Sequence, residues 1–95
     1  MSMKEAYQQK IEAQLDEWKA DIDKMKAKAD GLEADAQLEY YKRIEDLRSK
    51  QQAAQEKLKE LKEAGEDAWE DLKAGVKLAW DSLGEAVKSA NSRFK

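Results

Sequence analysis

Carboxylates are the commonest reactive groups in this chain, and several stand one helical turn apart: Glu12 with Asp16, Glu17 with Asp21, Asp35 with Glu39, Glu66 with Glu70, and Asp67 with Asp71. At that spacing two acids share one helix face. Such pairs could hold two metal ions, or serve as acid and base in glycoside hydrolysis. A di-metal carboxylate bundle also needs Glu-x-x-His ligands turned inward. The chain has no His, and these acids mostly lie off its apolar positions. Glycoside chemistry needs a concave pocket that separates the pKa values of two acids. A thin helical rod provides none, so the pairs read as a solvated face.

The remaining polar clusters read in the same way. Lys24, Lys26 and Lys28 form a short basic run, but Asp21, Asp23 and Asp30 flank it. A mixed-charge surface explains them better than a phosphate site. The four glycines, Gly31, Gly65, Gly75 and Gly84, are isolated and build no phosphate-cradling loop. Cys, His and Pro are all absent. Disulfides, thiolate metal sites, Cys nucleophiles and His-based mechanisms are thereby excluded. With 18 Lys+Arg against 21 Asp+Glu, the net charge of −3 argues against a nucleic-acid binder. The expectation is a protein that is not an enzyme, with no cofactor, no metal and no small-molecule substrate.

The elements that would carry these side chains are helices. Charged residues make up 41% of the 95 residues and hydrophobic ones another 41%, with only one Phe, three Tyr and three Trp. Ala, Glu, Lys, Leu, Gln and Asp dominate, the profile of long helices and coiled coils. Thr is absent and Ile and Val are few, so strands lack raw material. From Trp18 the apolar positions run Trp18, Ile22, Met25, Ala29, Leu32, Ala36, in alternating steps of four and three. After Tyr40 and Ile44 the pattern resumes as Leu47, Gln51, Ala54, Leu58, Leu61, Gly65, Ala68 and Leu72. Four-residue stutters occur at Ala36–Leu47 and at Tyr7–Trp18. This spacing predicts a coiled-coil helix over about 4–64, roughly 90 Å long. Its candidate interaction seam is Trp18, Ile22, Met25, Leu32, Ile44, Leu47, Leu58 and Leu61. Tyr40 and Tyr41 sit at the second stutter and read as seam packing.

The last third, 66–95, changes period. AWEDLKAGVKL at 68–78 is followed by AWDSLGEAVKS at 79–89, an 11-residue repeat equal to three helical turns. Trp69, Leu72, Val76, Trp80, Leu83, Val87 and Phe94 fall on one narrow face of a helix over about 67–91. Leu78 lies opposite. This stripe could close the assembly by packing on the long helix, or dock on lipid, a hydrophobic granule or another protein. Two glycines punctuate the chain. Turns at both Gly31 and Gly65 would make a three-helix bundle. The heptad phase passes through both unchanged, which favours continuity at Gly31, while Ala64-Gly65-Glu66-Asp67 favours a break, with Asp67 and Glu70 placed as a capping box.

The stretch from Tyr7 (YQQKIEAQLDEWKADIDKMKAKAD) through AWEDLKAGVKLAWDSLGEAVKSA to the terminal SRFK resembles small bacterial coiled-coil proteins of a stress-response family first recognised in cyanobacteria. The likeness spans nearly the whole chain and implies a small soluble helical protein linked to stress, with no catalytic residues to carry over. The 11-residue repeat also resembles late-embryogenesis-abundant proteins, apolipoprotein-type helices and the phasins of polyester granules. The expectation is thus one all-α domain over 1–95, a non-enzymatic structural or interaction protein that self-associates as a homo-oligomer through its heptad seam. The alternative is an amphipathic protein docking on membranes or hydrophobic granules through its Trp stripe. No apolar run approaches the roughly 20 residues a membrane span needs, and Met1–Lys10 has no apolar leader core. The cytoplasm is the expected location.

Overall fold

The computed structural model describes residues 2–93. Three helices follow one another: α1, Met3–Asp30; α2, Ala34–Glu63; and α3, Trp69–Arg93. They pack as a three-helix bundle of 52 × 19 × 18 Å. The fold is all-α, as the composition predicts, and the architecture is the bundle with turns at Gly31 and Gly65.

The single helix over 4–64 is therefore corrected. The chain reverses at 31–33, and the roughly 90 Å rod becomes two antiparallel helices. The physical reason is burial. A lone rod leaves its apolar seam in water, whereas folding back lets the first half cover the second. Each side chain such as Ile22 or Leu61, both fully buried here, contributes about 1.5–3 kcal/mol when taken out of water. A glycine inside a helix costs about 1 kcal/mol relative to Ala, so Gly31 is a weak point where continuity is easily surrendered. The reversal needs no left-handed residue: Gly31 has φ −88° and ψ 0°, and Glu33 is extended at φ −65° and ψ 155°.

The ends of the helices are satisfied locally. Ser2 caps α1, its Oγ accepting from the Glu5 amide at 3.2 Å. At the second turn the Ala68 and Trp69 amides both donate to the Gly65 carbonyl, and α3 begins at Trp69, two residues beyond Asp67. Lys4 Nζ donates to the Lys62 and Ala64 carbonyls, placing a cation at the negative end of α2.

The core runs the length of the bundle. Ile11, Leu15, Ile22, Met25 and Ala29 come from α1; Ile44, Leu47, Ala54, Leu58 and Leu61 from α2; Trp69, Val76, Leu83, Val87 and Ala90 from α3. Gln51, a polar seam position, is buried among them. Polar contacts bind α1 to α2: Arg48 with Asp23 at 2.9 Å, Lys62 with Glu12, and the Tyr41 hydroxyl donating to Asp30. α3 lies in the groove of this hairpin and meets it mainly through its apolar stripe. Among the described residues no helix is long and apolar enough to cross a membrane.

Candidate functional site

The heptad seam and the C-terminal stripe, read as two surfaces in search of mates, face each other within one chain. Ile22, Met25, Ile44, Leu47, Leu58 and Leu61 are buried, as are Trp69, Val76, Leu83 and Val87. Trp18, Leu72 and Trp80 are half-buried against that core. Leu32 departs from the seam: it lies in the first turn and is 40% exposed, because the reversal carries it past the end of the hairpin. Phe94 lies outside the described residues. The carboxylate pairs stay on the surface, and among the described residues no group of three or more acids is placed to hold a metal ion.

The most distinctive chemistry is aromatic and lies between α1 and α3. Helices α1 and α3 run parallel, both antiparallel to α2. Tyr7 and Trp18 are 11 residues apart on α1, and Trp69 and Trp80 are 11 apart on α3. Equal spacing on parallel helices builds two rungs about 16 Å apart. In the first, Tyr7 meets Trp69 with ring centroids 6.1 Å apart and planes tilted by 42°. In the second, Trp18 meets Trp80 at 5.7 Å and 43°. Lysines lie over the rings: Lys73 Nζ is 5.2 Å from the Tyr7 centroid and 5.4 Å from that of Trp69, and Lys10 Nζ is 5.8 Å from Trp80. Each such cation–π contact is worth about 0.5–1 kcal/mol where water has access.

Gly84 makes room for the second rung. A Cβ there would stand 2.8 Å from Trp18 Cζ2 and 2.9 Å from Cη2, closer than carbon atoms pack. Gly75, on the same helix, faces open space. Beside the rung lies an open groove walled by Gln14, Trp18, Trp80, Glu85 and Lys88.

Two polar groups in this seam are stranded. The Tyr7 hydroxyl and the Trp80 indole N–H are shut off from solvent with no hydrogen-bond partner among the described residues. Burial pushes the Tyr7 hydroxyl pKa above its usual 10.0; nearby Lys77 lowers it and Asp81 raises it. An unpartnered buried donor costs about 1–3 kcal/mol. The α1/α3 seam, the smallest of the three helix interfaces, therefore joins aromatic packing to unmet polar demand.

Sequence reasoning found Trp69 and Trp80 through the 11-residue repeat but left Tyr7, Lys10, Lys73 and Gly84 out of the site. The signal for Tyr7 was present: its 11-residue separation from Trp18 repeats that of the two α3 tryptophans. The role of Gly84 depends on a ring from another helix and has no local signature. No family model, curated protein or solved structure matches the chain.

Proposed function

We propose that this chain is a non-enzymatic helical interaction protein that docks reversibly on apolar surfaces, such as a membrane–water interface or a hydrophobic granule. Docking opens the bundle along the α1/α3 seam and lays the face bearing Trp69 and Trp80 on the surface. The observation that carries this reading is the pair of unpartnered groups, Tyr7 hydroxyl and Trp80 N–H, inside the aromatic seam. Trp and Tyr settle where an apolar ring body and a wet polar tip are both accommodated. At an interface both tips would find water or headgroups while the rings stay buried. Lys10 and Lys73 can follow, keeping their charge in water. From Glu66 onward six acids face five bases, so the surface favoured is a neutral one. The resemblance to stress proteins extends the proposal to deployment under stress in the cytoplasm.

Titration of the full chain with phosphatidylcholine vesicles tests the proposal. Tryptophan emission should shift to the blue as Trp18 and Trp80 leave their half-exposed positions, and the chain should float with the vesicles. Trp80→Ala should weaken binding by about tenfold, the loss of one large buried ring. Unchanged emission and no flotation by the folded chain would refute docking.

A second reading is a structural protein that self-associates through the heptad seam. The unbroken phase of that seam across the first turn favours it.

A further inference from the structure

The seam has a symmetry that the hairpin alone does not use. Counted from Ala36, Leu32 and Tyr40 lie four residues to either side, Met25 and Leu47 lie 11, and Ile11 and Leu61 lie 25. Ile22 and Ala29 meet their counterparts Gln51 and Ile44 one residue off this centre, so the seam reads nearly the same in both directions, as an antiparallel pair of identical helices requires. The closed hairpin already runs in this register: Arg48 pairs with Asp23, and Tyr41 with Asp30, each pair nearly centred on Ala36. The middle of the seam is what the hairpin wastes. Leu32, Ala36 and neighbouring Leu38 are exposed where the chain reverses.

The turn begins in helical geometry and leaves it at Glu33. Gly31 is in the right-handed helical region and Glu33 departs from helix through ψ alone. No residue from 2 to 93 has positive φ, and the chain has no Pro. Short connections between packed helices are a common site of exchange between copies.

We propose that residues 31–33 are a hinge, and that two copies exchange α1 across it to form an antiparallel dimer of straight helices spanning 3–63. The partner is a second copy of this chain. In the dimer Ala36 packs on Ala36 of the other copy, and Leu32 packs beside Tyr40. The Arg48–Asp23 and Lys62–Glu12 pairs form between copies in their present register. Each α3 keeps its groove, now made of its own α2 and the other copy's α1. This proposal deepens the self-association reading and is independent of surface docking.

Sedimentation and small-angle scattering of the full chain, from micromolar to millimolar concentration, test it. A dimer should grow with concentration, with a longest dimension of about 90 Å, against 52 Å for the closed bundle. Gly31→Ala, whose added Cβ meets only the Lys28 carbonyl at an ordinary 3.6 Å, should raise the association constant about tenfold by favouring helix at the hinge. Ala34→Pro should abolish the dimer. Position 34 is the first residue of α2 and follows an extended Glu33, so Pro fits the closed turn but not a continuous helix. Circular dichroism of this variant should match the parent. Because the chain has no Cys, Ala36→Cys should give a disulfide-linked dimer on oxidation, while exposed, off-seam Leu38→Cys should not. A chain that stays monomeric to millimolar concentration even with Gly31→Ala overturns the proposal. So does a dimer that survives Ala34→Pro, which would move self-association to another face.

Discussion

Gly75 and Gly84 occupy the same helix, yet opposite consequences follow from adding one methyl group to each. At position 75 an Ala side chain meets nothing, so Gly75→Ala should stabilise the bundle by about 1 kcal/mol through helix propensity alone. At position 84 the methyl group would overlap the Trp18 ring. Overpacking of this kind costs about 1–3 kcal/mol, so Gly84→Ala should lose its helical gain and destabilise. Urea unfolding measures both, and near-ultraviolet circular dichroism should change only for the second, as Trp18 tilts away from Trp80. Two tyrosines contribute to the pH response, beside Lys77, whose pKa its bond to Asp81 raises above 10.5. The hydrogen bond from Tyr41, aided by Lys26, lowers the Asp30 pKa below its usual 3.8. Its stabilisation is present above that value and is lost as pH falls through the lowered one. The same bond raises Tyr41 above 10.0, and burial raises Tyr7. Those contributions are complete below pH 10 and are lost as pH rises through the raised values. Unfolding midpoints should therefore fall at both extremes. Tyr41→Phe should flatten both limbs, and Tyr7→Phe only the alkaline one. Tyr7→Phe also deletes a stranded hydroxyl, and should stabilise the neutral-pH bundle by about 1 kcal/mol.

The helices differ in how they are held. Arg48–Asp23, Lys62–Glu12 and the Lys4 cap fasten α1 to α2. These pairs are largely exposed, and single exposed ion pairs contribute about 0–1 kcal/mol. Their service is register rather than strength. Strength resides in the core, where Leu61→Ala should cost about 2–5 kcal/mol, since its side chain is fully buried where the elements meet. Leu78→Gln should change stability by less than about 0.5 kcal/mol, because Leu78 is 73% exposed on the outer face of α3. Thermal unfolding separates these outcomes. Leu78 was legible as the exception because it falls opposite the α3 stripe on a helical wheel. Leu32 was not, because heptad position alone cannot reveal that the residue sits in a turn.

The two proposals draw on different parts of the closed bundle, docking on the α1/α3 seam and dimerisation on the turn at 31–33. If surface docking opens α3 while dimerisation straightens 31–33, then Ala34→Pro should block the dimer and leave vesicle binding intact; flotation of that variant measures the separation. Composition and periodicity determined that the chain is helical, which faces are apolar, and where the 11-residue repeat begins, since these follow from side-chain volume, charge and spacing along one strand of backbone. Only tertiary structure decided that the chain turns back at Gly31, that Trp18 rests on Gly84, and that Tyr7 reaches Trp69. An apolar stripe demands cover but does not specify its source, because a neighbouring helix of the same chain and one from a second copy bury it equally well. In the closed bundle the three-residue turn at 31–33 brings that cover from the same chain, where the covering helix is already tethered.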